Sequence, residues 1–284
     1  LGLSATQWTH AAPPVDSSID VKSVDRGLYR GKTQWWQYFI GRVPSVEVYP
    51  KRQTVAGRSN ISPLYINFSP DYRGIYNENK DFIDSLNPRW DSIRSSPWAQ
   101  DVSNRTRIWG GFQRLLSSFN SNFDLDNIDY VEIMMRVEDR EDATKMFIDL
   151  GQISEDVIPN SSLNTEDGIS AAAPIPNNRI DPGEDVGLDQ RDNAKEKASM
   201  PYPLSLEDDP SRDDYKFDFS KDDNLRGPDD FIRFNSHEGN STQSEIGQFP
   251  DTEVLNRQNG QNISLDDSYF SYEINLDPTD ANTQ

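Results

Sequence analysis

Cysteine is absent from the 284 residues. Disulfides and thiolate metal centres are therefore excluded, while the compartment stays open, since bacterial envelope proteins also lack cysteine. Only two histidines occur, His10 and His237, too few for a His-rich zinc or iron site. No run of 18 apolar residues is present, so no helix of the chain is expected to cross a membrane. No glycine-rich phosphate loop ending in Lys-Ser or Lys-Thr is found. The chain starts at Leu1 without the charged start and apolar core of a secretory signal, and it reads as an excerpt or mature fragment. Basic side chains are scarce in one half only. Residues 1–150 hold 19 acidic and 18 basic side chains, against 29 and 10 in residues 151–284. Nearly all of the net charge of −20 thus sits in the second half. Such a half repels nucleic acid and anionic lipid surfaces and attracts hard cations that take oxygen ligands.

What is present is short-period patterning. Asp129, Val131, Ile133 and Met135 alternate with Tyr130, Glu132 and Met134, and Met146, Ile148 and Leu150 resume the alternation after a charged loop. A spacing of two places successive side chains on opposite faces of a sheet. Residues 63–68 predict another strand, and Val46, Val48 and Tyr49 a short one ending at Pro50. Residues 34–40, QWWQYFI, are aromatic and expected to be buried. Residues 72–77 read as a turn on Gly74, residues 81–86 as a helix closed by Pro88, and residues 90–98 as loop. Short strands, aromatic anchors and Gly/Pro/Asn turns predict a mainly β chain. Residues 1–33 form a lead-in. Residues 34–160 are expected to form a β-sandwich that resembles galactose-binding-like jelly rolls. Residues 161–284 follow as an acidic, loop-rich extension. Within it, residues 171–176 look like a linker. Tyr215, Phe217 and Phe219 alternate as in a strand, residues 231–234 suggest another, and residues 268–276 give the last convincing one.

Several strings, taken in order, carry a family likeness. They include Arg73-Gly74-Ile75-Tyr76-Asn77, Trp109-Gly110-Gly111, residues 147–156 (FIDLGQISED), Glu166-Asp167-Gly168, residues 184–189 (EDVGLD), residues 209–215 (DPSRDDY), residues 250–257 (PDTEVLNR) and Ser268-Tyr269-Phe270. Together they span roughly residues 34–277. The chain resembles the SprA/Sov family, the outer-membrane translocon proteins of the type IX secretion system in Bacteroidetes. The resemblance implies a very large β-barrel conduit for secreted cargo, with a role in gliding motility in some relatives. This chain would then be a non-enzymatic, soluble insertion or cap at the outer membrane or cell surface. Its partners would be the rest of the barrel, accessory outer-membrane proteins and secreted cargo. Gln190, residues 259–262 and Ile133-Met134-Met135 depart from the family pattern.

The candidate sites are acidic. Asp181, Glu184, Asp185, Asp189, Asp192 and Glu196 recur in residues 181–196, with Gly183 and Gly187 for sharp turns. They are candidate ligands for structural calcium, which takes six to eight oxygens from carboxylate-rich loops, although the spacing is not that of an EF-hand. Asp251, Glu253 and Asn256 suggest a second, looser loop. Asp208, Asp209, Asp213 and Asp214 form a third cluster, with Arg212 and Lys216 placed to neutralise it. Ser154 lacks a nearby histidine as base, so it is expected to cap a turn, with Glu155 or Asp156 binding backbone donors or an arginine such as Arg73 or Arg136. Two alternatives stand beside the translocon reading. One is a cell-surface carbohydrate-binding module using Trp35, Trp36, Trp90, Trp98 and Trp109. The other is a glycoside hydrolase using two facing carboxylates.

Overall fold

The computed structural model of the chain describes residues 8–15, 23–37, 43–51, 60–82, 84, 96–116, 133–137, 145–214, 249–256 and 262–276. Among these the architecture is mainly β, with little helix and with short strands in small sheets. The strands are β1 (Thr9–His10), β2 (Gly31–Trp36), β3 (Val43–Pro44), β4 (Asn60–Ile61), β5 (Tyr65–Arg73), β6 (Phe112–Gln113), β7 (Lys145–Gln152) and β8 (Ser268–Asn275). They pair antiparallel as β1–β6, β2–β5, β3–β4 and β7–β8, each pair a two-stranded sheet.

The β2–β5 pair carries the aromatic segment. Trp35 lies opposite Ile66 and Trp36 opposite Tyr65. Trp35 is fully buried, with its ring 4.9 Å from His10 and 5.2 Å from Phe112. Burial of residues 34–36 accords with their composition, because large aromatic rings bury the most apolar area per residue. Gly110 allows the next segment to close on this pair: a Cβ there would stand 1.9 Å from Thr33 Oγ1.

The β7–β8 ribbon sets the layout of the second half. Its register runs without a slip from Lys145 opposite Asn275 to Gln152 opposite Ser268. Residues 153–267 are thus one long excursion between two paired strands. One face of the ribbon carries Met146, Ile148, Leu150, Phe270, Tyr272 and Ile274. Phe270 is 76% exposed and Tyr272 55% on that apolar face.

Several local expectations change. The segment at Val46 is a helical turn, Ser45–Val48, rather than a strand. Three residues of alternation fit either period, and the turn closes a bond from Tyr49 N–H to the Ser45 carbonyl. Residues 133–137 carry no strand, and Ile133, Met134 and Met135 are exposed. The strand expected from residue 129 begins outside the described residues. Asp81 and Phe82 form a turn and bend rather than the start of a helix. The expected strands at 215–219 and 231–234, and most of the loop at 90–98, also lie outside the described residues, while Pro97–Gln100 is a helical turn capped by Ser96. A helix runs over Asn193–Ser199.

The apolar core of the second half is small. Tyr76, Val157 and Leu188 form its centre, with Ile75 and Ile158 against it. Tyr76 comes from the first half and the other two centre residues from the second, so the halves share this core. Two buried arginines reinforce the junction. Arg30 donates to the carbonyls of Ala11, Ile75 and Val157. Arg73 donates to those of Asn77 and Pro210 and to Glu207.

Candidate functional site

A loop-rich segment must satisfy its buried backbone N–H groups without a sheet ladder or a long helix. Here carboxyl groups do that work. Glu155 accepts from Leu255 and Ser264 N–H. Glu166 accepts from Val186, Gly187 and Asp251 N–H. Asp167 takes Asn177 and Asn178 N–H, and Glu253 takes those of Ile158 and Asn164. Glu184 accepts from Gly168 at 2.9 Å and Asp181 at 2.8 Å. Glu166, Glu184 and Glu253 are each at most 1% exposed. The second half is therefore held by acidic side chains that reach across the chain to distant loops. Ser154 behaves as its sequence suggests: its Oγ accepts from Asp156 N–H, and Glu155 beside it binds backbone donors. Arg73 pairs instead with Glu207.

Burial pushes Glu166 and Glu253 up. Desolvation raises Glu253 to about 8, opposed by its two backbone donors and by the charge of Arg30. Desolvation and the charge of Asp251 raise Glu166 to about 9. Desolvation also lowers Arg30 to about 10.

Most of the candidate calcium ligands are spent in this network. Glu184 and Glu253 are staples, Asp181 accepts from Asn177 Nδ2, and Asp192 caps the helix Asn193–Ser199 by accepting from Lys195 N–H. Asp185 and Asn256 are half-buried. Main-chain groups of Asp251 bond Glu166 and Thr165. Of the candidate ligands in residues 181–196 and 251–256, Asp189 and Glu196 join a carboxylate cluster among the described residues.

That cluster is Asp189, Glu196 and Asp213, one oxygen from each lying within 4.8 Å of the others; Asp213 forms a second such group with Asp209 and Asp214. Asp189 follows the Gly187 turn, where φ is +79°. Glu196 projects from the helix that Asp192 caps. Asp213 sits in the turn after Pro210, where Asp209 accepts its N–H. Glu196 is pushed up to about 7, chiefly by desolvation. Asp213 is pushed well above the usual carboxyl range by desolvation and by the charges of Asp189, Glu196, Asp209 and Asp214. Arg212, the expected neutraliser, turns to Glu207 and Asp84 instead. Lys216 lies outside the described residues. A cavity of about 280 Å³ opens beside the cluster, lined by Tyr76, Glu78, Asp189, Arg191 and Ser211 among others.

Sequence spacing pointed to the right stretch of chain for Asp189 and Glu196. It missed their meeting with Asp213, which depends on a fold-back of Pro210-Ser211 that no local pattern encodes. Trp35, Trp36 and Trp109 are buried and take no part in an exposed aromatic platform, and Trp90 lies outside the described residues. No protein-family model matches the chain, and no curated protein matches it either.

Proposed function

We propose that this chain is a non-enzymatic structural and docking region of a type IX secretion outer-membrane translocon, serving protein export and, in some hosts, gliding motility. Residues 34–160 would be its sandwich-like module of jelly-roll type. Residues 161–284 would be an acidic, loop-rich extension that packs on this module or on the parent barrel, on the extracellular or the periplasmic side of the conduit. The observation that supports this reading is the ribbon. It is two strands wide, Phe270 and Tyr272 stand exposed on its apolar face, and it closes the base of an excursion whose described loops are fixed by buried carboxyls. Isolated two-stranded ribbons are marginal in water and gain stability by packing on a larger body. The rest of the barrel, its accessory proteins or passing cargo would supply that body.

The alternative of a surface carbohydrate-binding module needs exposed rings, and the buried Trp35, Trp36 and Trp109 do not serve it. A glycoside hydrolase needs two carboxylates facing across a cleft. Of the acidic residues that line the cavity, Asp25, Glu78 and Asp189, the last two are bridged by Arg191 at 2.9 and 3.4 Å.

The test is made in the full-length parent in its host. Gln152 is joined to Ser268 by a two-residue Asn-Gly turn, which the register of the ribbon accommodates. The parent should still reach the outer membrane, while cargo bearing the C-terminal export signal should no longer appear at the surface. Undiminished export from that deletion would sink the reading.

A further inference from the structure

We infer that Asp189, Glu196 and Asp213, with Asp209 and Asp214 alongside, bind one hard divalent cation of the calcium type. This inference rests on the geometry of the cluster alone and stands apart from the translocon reading. Five carboxylates converge here, but convergence of acidic groups is not sufficient. The decisive observation is Asp213. Its side chain is 1% exposed, yet neither carboxylate oxygen has a hydrogen-bond partner. Glu196 is fully buried, with Oε2 accepting from Ser211 N–H and Oε1 left without a partner. A buried carboxylate oxygen without a donor costs free energy that folding must offset elsewhere.

Among the described basic side chains nearby, Arg191 reaches one member of the cluster, Asp189, and the others pair elsewhere. Arg191 reaches Glu78, Ser199 and Asp189. Arg212 holds Glu207 and Asp84, Lys195 sits by Asp192, and Lys197 by Asp208. A cation from solution is the remaining counter-charge among the described residues. The donors are all oxygens, which selects calcium or magnesium over softer metals. The oxygens lie within 4.8 Å of one another, and a site built from several protein carboxylates suits calcium, which takes six to eight oxygens in flexible geometry, better than magnesium, which keeps several of its waters. The backbone at Gly187 walls the site: a Cβ there would lie 2.1 Å from Asp213 Oδ2. The cavity lined by Tyr76, Asp189 and Ser211 gives a route in from solvent.

The experiment uses the full 284-residue chain, stripped with chelator. Thermal unfolding is followed in calcium chloride, magnesium chloride and sodium chloride at matched ionic strength. A ligand of the folded state raises the midpoint by mass action. Calcium should raise the midpoint of the wild type, and Asp181→Asn, which alters a residue outside the cluster, should keep the full rise. Asp213→Asn should lose the rise. If that variant does not fold, Glu196→Gln takes its place, read by terbium luminescence sensitised through the adjacent Tyr76 and displaced by calcium. It should weaken binding at least tenfold. A wild type unmoved by calcium, a full rise in Asp213→Asn, unchanged terbium binding in Glu196→Gln, or a rise lost in Asp181→Asn would each overturn the assignment. A rise with magnesium alone would overturn the choice of calcium.

Discussion

Arg73 Nη2 lies 2.8 Å from Glu207 Oε2, a buried ion pair between residues 134 positions apart. It ties the end of β5 to the turn that carries Ser211 and Asp213. Arg212 shares the same Glu207 oxygen at 3.1 Å, so one carboxylate holds two guanidinium groups. Removing one member of a buried pair leaves the other charge uncompensated. Arg73→Ala should cost about 3–5 kcal/mol in urea unfolding, on the scale of buried pairs broken from one side. Glu207→Gln, which keeps the shape and one acceptor, should cost less.

Glu253 tests the carboxyl staples. It is fully buried and accepts from Ile158 and Asn164 N–H, both at 2.8 Å. Glu253→Ala orphans two buried donors and should destabilise by about 2–6 kcal/mol, at roughly 1–3 kcal/mol for each unsatisfied group. Amide exchange at residues 158 and 164 should accelerate with it. Exposed Asp208→Ala serves as the comparison and should leave the unfolding curve unchanged.

The pH dependence should run opposite to acid denaturation. Glu253 and Glu166 are raised from 4.5 to about 8 and about 9 in the folded chain. Between the ordinary value and these raised ones, the folded chain keeps protons that the unfolded chain has released. Stability supplied by these groups is complete below 4.5 and falls as the pH rises through 8 to 9. In chelator, the thermal midpoint should therefore be higher at a pH of about 5.5 than at about 8.5, the two sides of that window. Glu253→Gln should flatten the slope. A midpoint that climbs with pH over this range would contradict the protonated assignment.

Two glycines separate backbone strain from crowding. Gly183 and Gly187 have φ of +91° and +79°. A Cβ at Gly183 meets only Ser170 Oγ at 3.9 Å, whereas one at Gly187 meets Asp213 Oδ2 at 2.1 Å. Both alanine variants should pay about 1–2 kcal/mol for the left-handed backbone. Gly187→Ala should lose clearly more, the excess measuring how closely the chain approaches Asp213.

The sequence and the structure agree where the signal is local. The period of two marked β5, β7 and β8. Ser154 announced its own turn. Partnership was not legible in this way. The alternation of residues 129–135 matched that of β7, yet β7 pairs with β8, 115 positions and more along the chain. The same gap explains the acidic residues. Spacing shows where carboxyls cluster in the chain, but not which distant N–H groups lack an acceptor. Glu253 reads as a metal ligand until Ile158 and Asn164 arrive from 95 and 89 residues away.

The β7–β8 register also has a kinetic meaning. Closing a loop of more than a hundred residues costs chain entropy before any pairing rewards it. The ribbon therefore forms late, after the carboxyl staples have drawn residues 153 and 267 together. A chain threaded from its N-terminus keeps Met146, Ile148 and Leu150 without their strand partners until residue 275 has emerged. During that interval β7 is an open edge, the part of the molecule most in need of a chaperone.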